Sequence, residues 1–339
     1  MCPKDHQLPV PHLATSFSIG PVSIRNRVVL APMSGVTDLP FREIAWRWGA
    51  GLVVTEMIAS RELVLSRGES WARLKRAGLG PHMVQLAGRE PQSMAEAARI
   101  SADQGADIID INMGCPAKKV TGGYSGSALM RDPELALSLI EATVKAVDVP
   151  VTLKMRLGWD ENSINAPEIA RRAEDAGVQL ITIHGRTRMQ FYEGRADWDA
   201  IRKVRDVISV PLIANGDVQS AADAHEILAR SGADAVMAGR GAQGRPWHAG
   251  ALAGHAGPSR HEQVEIVIEH YRAMLDFYGR EAGLRHARKH LGWYLDRLAP
   301  DAPSEDKVAV MRSTDVEDVM KRMEILLRSH IETSVREAA

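Results

Sequence analysis

The chain is predicted to fold as an α/β protein, a (β/α)8 TIM barrel followed by a small C-terminal all-α helical domain. Two patterns carry that expectation. Eight short aliphatic runs recur, each followed by a loop and a segment of helical period, and beyond Gly241 the periodicity becomes helical alone. With 339 residues, 45% of them hydrophobic, a sizeable core is available.

The runs read as strands lie at 28–31, 52–55, 83–86, 108–111, 151–154, 180–183, 211–214 and 235–238. They are nearly continuous rather than alternating, which is what strands covered on both faces require. Helix start signals stand between them: Pro133-Glu134, Pro167-Glu168 and Ser220. Eight units in roughly 230 residues fit a barrel, with an open doubly wound sheet as the structural alternative. The run from Gly239 to Gly244 matches G-x-G-x-x-G. Pro246 and the Gly/Ala/Pro-rich stretch after it leave no second parallel strand, so a dinucleotide unit is not expected there.

These boundaries divide the chain into an N-terminal extension at 1–19, the barrel at 20–247, a linker at 248–260 and the helical domain at 261–335. In the last, Val264, Val267, Ile268, Tyr271, Met274 and Leu275 form one apolar stripe. Thr314 with Glu317 reads as a capping box before Val319, Met320, Met323, Leu326 and Leu327.

A formal net charge of −1 gives no general argument for a polyanionic partner, so any such partner needs a local patch. One candidate is Arg280, Arg285, Arg288, Lys289 and Arg297, opposed only by Glu281 and Asp296. No apolar segment reaches membrane-spanning length, and the first 18 residues hold no apolar block of a secretory signal. Two cysteines, one of them Cys2 at the terminus, fit a reducing compartment. A cytoplasmic monomer is expected. With no C-x-x-C and no H-E-x-x-H, and with His286 and His290 inside the basic cluster, no metal centre is expected.

The residues at or just past the strand ends are polar or special in backbone: Pro32-Met33, Gln85, Asn112, Lys154, His184, Asn215-Gly216-Asp217 and Gly239-Arg240. Barrel enzymes build their sites at that face, so these residues are expected to converge. The loops after the seventh and eighth strands are a frequent phosphate site in this fold. Glycine there lets backbone N–H groups approach an anion, and Arg240 adds a forked donor. Cys115 sits on a tight loop directly after the fourth strand. Lys154 admits two readings: a Schiff-base amine, or an ammonium kept charged beside the N1 and O2 edge of a flavin. Gln85 and Asn112, as amide partners for that edge, favour the second.

At this point the chain resembles the tRNA-dihydrouridine synthases, most closely their DusB-type bacterial branch. The matching segments are Ala31-Pro32-Met33-Ser34-Gly35-Val36-Thr37-Asp38, Asp110-Ile111-Asn112-Met113-Gly114-Cys115-Pro116, Gly126-Ser127-Ala128-Leu129-Met130, Lys154-Met155-Arg156, His184-Gly185-Arg186-Thr187-Arg188, Asn215-Gly216-Asp217, and Gly239-Arg240 through Pro246-Trp247. The resemblance implies an FMN enzyme that reduces the C5–C6 double bond of particular uridines in tRNA with electrons from NADPH. It implies that Pro32, Met33, Ser34, Gln85, Asn112, Lys154, His184, Asn215, Gly216, Asp217, Gly239 and Arg240 hold FMN. Cys115 would be the proton donor. Arg156, Arg186, Arg188, Arg285, Arg288 and Lys289 would contact the tRNA. Two departures, Met189 and the loop Gly122-Gly123-Tyr124, bear on the RNA contacts rather than on the flavin. An FMN oxidoreductase of a free pyrimidine or enone, and a catalytically silent RNA-binding barrel, are the competing readings.

Overall fold

The computed structural model describes residues 12–338. Residues 1–11 of the expected extension, with Cys2, lie outside the described residues. An antiparallel hairpin, β1 (Phe17–Ile19) and β2 (Val22–Ile24), precedes nine parallel strands. These are β3 (Val28–Leu30), β4 (Leu52–Val53), β5 (Ile58–Ala59), β6 (Met83–Ala87), β7 (Ile108–Met113), β8 (Val151–Arg156), β9 (Ile181–His184), β10 (Leu212–Asn215) and β11 (Ala235–Ala238). All eight aliphatic runs are therefore strands.

The strands neighbour one another in the order β4-β3-β11-β10-β9-β8-β7-β6-β5. β4 and β5 are two ends of one interrupted strand: Leu52 and Val53 pair with β3, Val54 bridges Met83, and Ile58 pairs with Leu86 of β6. The bridge joins the two edges of the sheet into a barrel, which removes the open-sheet alternative. Ile19 and Ile24 of the hairpin are fully buried with Val29, Ile108, Leu180 and Ala235, which lie at or near the amino ends of the strands. The hairpin thus plugs that end of the barrel. The expected boundary at residue 19 falls inside the plug, because Phe17 and Ile19 supply its apolar side.

Helices α1 (Leu39–Arg47), α2 (Ser60–Val64), α3 (Gly68–Arg73), α4 (Pro91–Asp103), α5 (Lys118–Thr121), α6 (Pro133–Val144), α7 (Ala166–Asp175), α8 (Trp198–Arg205) and α9 (Ala221–Ser231) follow their strands. Their starts obey local chemistry. Asp38 and Asp132 accept from Phe41 N and Leu135 N, and Ser220 forms a capping box with Asp223.

The stretch expected to be a linker contains a helix, α10 (His248–Leu252), whose Ala249 and Gly250 are buried. Its small residues serve close packing rather than flexibility. A Cβ on Gly250 would collide with the carbonyl oxygen of Trp48, just past α1. Four longer helices complete the chain: α11 (Arg260–Tyr278), α12 (Arg280–Leu298), α13 (Ser304–Arg312) and α14 (Val316–Ala338). The expected α11 stripe is the buried face, and it shares a core with Leu291, Tyr294, Val319 and Met323. The cap of α14 falls one residue later than expected. Asp315 Oδ1 accepts from Glu317 N at 2.9 Å and Asp318 N at 3.4 Å, an anionic acceptor where the helix end favours negative charge. Ile44 of α1 belongs to this second core, and Tyr278 Oη donates to Asp38 Oδ2 at 3.0 Å. Among the described residues, no helix is long and apolar enough to cross a membrane, and no cluster of potential metal ligands occurs.

Candidate active site

Strand register decides which side chains meet. Gln85 stands opposite Asp110, and Asp110 opposite Thr152, so three neighbouring strands place polar groups side by side inside an apolar barrel. Thr152 Oγ1 donates to Asp110 Oδ1 at 2.6 Å, and Gln85 Nε2 donates to Asp110 Oδ2 at 2.7 Å. That fixes the amide orientations in sequence. Gln85 Oε1 accepts from Asn112 Nδ2 at 2.7 Å, leaving Asn112 Oδ1 to accept from the backbone N–H of Gly114 (3.1 Å) and Cys115 (3.0 Å). A buried chain of hydrogen bonds therefore runs from Asp110 to the backbone that carries the thiol. Burial pushes the Asp110 carboxyl up, against the opposing effect of its two donors.

One register step along, Asn112 faces Lys154, Lys154 faces Thr182, and His184 stands between Arg156 and Asn215. Lys154 Nζ donates to Asn215 Oδ1 at 3.2 Å, while Asn215 Nδ2 is held by Met237 O at 2.8 Å. Lys154 is buried, and desolvation brings its ammonium down to about 8, only partly offset by Asp110. An ammonium has three donors and this one spends a single bond on protein, which leaves two for a ligand.

Gly216 has φ +129°, and a Cβ there would lie 2.6 Å from Ala196 Cβ and 3.1 Å from His184 Cδ2, so only glycine fits. Asp217 also takes a left-handed conformation, φ +58°. Its carboxylate, held low mainly by hydrogen bonds from Arg186 and Ala196 N that outweigh burial, binds Arg186 at 2.6 Å and Arg240 at 2.9 Å. Asp217 thus aims arginines rather than meeting an anion itself, and Arg240 stays exposed beside Gly239 with further donors to offer.

Gln85, Asn112, Lys154, His184, Asn215 and Asp217 border one cavity of about 1080 Å³ at the carboxyl ends of the strands, with Asp110 and Arg186 behind its wall. Its wall includes the twelve residues expected to hold the cofactor, from Pro32 to Arg240, together with Cys115. The thiol is partly exposed, and among the described residues it is the only free cysteine.

The expected RNA-contacting residues divide. Arg156 and Arg186 are each 1% exposed and Arg188 is 9% exposed, so none stands at the rim as a phosphate grip. Arg156 donates to Gly114 O, Thr187 O and Phe191 O, each at 2.8 Å. Arg186 binds Asp217 and the carbonyls of Glu193 and Gly194. Arg188 stacks between Trp159 and Phe191 at 4.8 and 4.6 Å. Arg156 and Arg186 hold the loop at 187–194, because a buried guanidinium needs acceptors and the loop carbonyls supply them; Arg188 is held there by its aromatic neighbours, with its Nε unpartnered. Arg285 is exposed on α12 and Arg288 is half-buried against Ser313 O. Lys289 is half-buried too, with Nζ 2.9 Å from where a Cβ on Gly35 would stand, directly after the Pro32–Ser34 stretch.

Two residues of the site escaped sequence reasoning. Asp110 was visible as the single charge inside an aliphatic run. Tyr192, half-exposed at the cavity wall, lies 5.1 Å from the Arg240 guanidinium and 5.5 Å from that of Arg156. No spacing pattern marked it.

Comparison with known proteins finds relatives over most of the chain. The family model described as dihydrouridine synthase matches residues 29–332. A probable tRNA-dihydrouridine synthase of Rhizobium leguminosarum bv. phaseoli is 75% identical over 302 residues, covering 89% of this chain and 95% of the relative. The tRNA-dihydrouridine synthase B of Xanthomonas axonopodis pv. citri is 48% identical over 311 residues, 89% and 92% of the two chains. Among solved structures, an old yellow enzyme homologue from Zymomonas mobilis superposes with a TM-score of 0.52 at 17% identity, covering 70% of this chain and 90% of the other, a likeness of fold. With the family model spanning the barrel and most of the helical region, the chain belongs to the dihydrouridine synthase family.

Proposed function

We propose that the protein is an FMN-dependent tRNA-dihydrouridine synthase that uses NADPH and reduces the C5–C6 bond of particular uridines. The observation that carries this reading is the sharing of one cavity by the Cys115 thiol, the buried Lys154 ammonium and the Asp217-braced Arg240. The residues present fit FMN. Arg240 with the glycine backbone at 239 and 241 suits a phosphate. Lys154, with two donors to spare, suits the electron-rich edge of a ring system that becomes anionic on reduction. When bound, FMN supplies the hydride for uracil C6, drawn in turn from NADPH.

The remaining work belongs to the chain. Cys115 delivers a proton to C5 from its thiol, which lines the cavity. Asn112, by accepting from the backbone N–H of Cys115, holds the loop that carries the thiol. The uridine must leave its stack to reach the cavity, a cost of a few kcal/mol that is smallest where bases are already unpaired. Arg285 on the exposed face of α12 is the contact to phosphate in this reading, with Arg288 and Lys289 behind it. The protein acts in the cytoplasm as a monomer.

The test is purification with flavin absorbance followed, bleaching by NADPH, and nucleoside mass spectrometry of tRNA from a deletion strain before and after treatment. A gain of two hydrogens on uridine is expected. A colourless protein whose Lys154 is trapped by borohydride with a carbonyl substrate would overturn the reading in favour of Schiff-base chemistry.

A further inference from the structure

We infer that Arg186, braced by Asp217, holds His184 in the single tautomer that presents its Nδ1–H to the cavity. Arg186 and Asp217 are then positioning residues, and His184 is a fixed hydrogen-bond donor to a carbonyl acceptor of the bound ligand.

The inference rests on a complete accounting of one guanidinium. Arginine carries five N–H donors and no acceptor. In Arg186, Nε donates to Glu193 O at 3.0 Å, and Nη2 donates to Gly194 O at 2.7 Å and Asp217 Oδ2 at 2.6 Å. Nη1 donates to Asp217 Oδ1 at 2.9 Å, and its other hydrogen meets His184 Nε2 at 3.3 Å. Every donor has an acceptor, so the fork cannot rotate without losing bonds. The side chain is 1% exposed, and no water can take over the task.

A ring nitrogen facing a group that only donates must be the unprotonated one. The proton of the neutral imidazole therefore sits on Nδ1. Among the described residues Nδ1 has no protein partner, yet it is not sealed off in the way that Nε2 of His270 is. His184 lines the cavity, so Nδ1, absent from the buried unpartnered atoms, is the nitrogen left to meet a ligand there. Imidazolium is disfavoured as well: burial and then the charges of Arg156, Lys154, Arg186 and Arg240 hold His184 well below its ordinary value. His184 thus cannot compete with Cys115 as the acid.

That the donated bond ends on FMN or uracil rests on the proposed function, whereas the tautomer does not. Long-range 1H–15N correlation of histidine-labelled protein reads the tautomer directly, in the FMN-free and FMN-loaded forms. A proton on Nδ1 alone at neutral pH is expected in both. Nε2–H or imidazolium in the wild-type protein would overturn the inference whether or not flavin binds. A downfield move of Hδ1 on adding FMN identifies a flavin carbonyl as the acceptor; a move only on adding a uridine-containing oligonucleotide identifies uracil. If Hδ1 moves with neither, the donor role fails. Arg186→Lys, still a donor, is expected to keep the Nδ1–H form. Arg186→Gln, which can accept as well as donate, is expected to lose it to a mixture. A Gln variant that folds and keeps pure Nδ1–H would end the positioning role, and should it not fold, the wild-type spectrum still decides.

Discussion

At the scale of the residue, the proposed function gives two side chains separable parts of the reaction. Cys115 is tied to the barrel through its backbone, so replacing its sulfur leaves the cradle intact. Cys115→Ala is expected to keep FMN and its reduction by NADPH while losing uridine reduction on the order of 100-fold, the usual size of a general-acid contribution. Single-turnover measurement of both half-reactions checks this, and unchanged uridine reduction would mean that another group supplies the proton. In the same proposal Lys154 acts on binding. Its ammonium, brought down to about 8 by burial, is charged below that value and neutral above it in the FMN-free protein. FMN affinity is therefore expected to fall by up to about tenfold per pH unit above about 8. Fluorescence titration between about pH 7 and about pH 9 reads the effect, and a flat profile would show that the ammonium does not meet the flavin. The strand-end residues were legible in the sequence, because polar or glycine positions ending aliphatic runs stand out against them. The arginines were legible only as charge. Nothing in one dimension reports that Arg156 and Arg186 turn inward, since Thr187 O lies 31 residues from Arg156 and the Asp217 carboxylate lies 31 residues from Arg186.

At the scale of the element, the aliphatic runs identified all eight barrel strands, because burial on both faces leaves a continuous signature. The sequence did not disclose that the second strand is interrupted. Its two ends pair with different neighbours, and pairing partners are a property of three dimensions. The stretch read as a linker is irregular only over 253–259, and its first five residues form a helix for a related reason. Glycine and alanine serve equally in a flexible connection and in a helix pressed against backbone, and α10 is the second case. Gly250→Ala puts a methyl group into the Trp48 carbonyl, where neither helix can give way through a flexible side chain. A loss of about 1–3 kcal/mol is expected, the usual cost of overpacking. Urea unfolding of the two proteins checks it, and an unchanged midpoint would mean that α10 can lift off α1 freely.

At the scale of the whole molecule, five buried histidines set the response to acid. They are His82, His184, His248, His270 and His290. Burial is the first cause in each, holding His82 at about 4, His248 and His270 at about 3, and His184 and His290 well below the ordinary 6.5. The unfolded chain accepts protons on all five near 6.5, and the native chain refuses them until far lower. Two buried carboxyls oppose this. Asp38, raised to about 6 by burial, and Asp110, also raised, keep protons in the native state that the unfolded chain releases. The histidines outnumber the carboxyls, so below about pH 6 the unfolded chain binds more protons than the native chain. Stability is therefore largest above 6.5 and falls as pH drops, by about 1.4 kcal/mol per pH unit for each proton of that excess. His270 and His290 stand 5.6 and 5.7 Å from Phe41 of α1, in the seam between barrel and helical region, so that seam bears part of the penalty. Calorimetry from about pH 8 to about pH 5 is expected to show an unfolding temperature that declines steeply once below 6.5. His290→Phe, which keeps an aromatic ring beside Phe41 and Trp293, removes one titrating site and is expected to make that decline shallower by about one proton's worth, roughly 1.4 kcal/mol per pH unit. An equally steep variant would show that the acid response originates outside the seam.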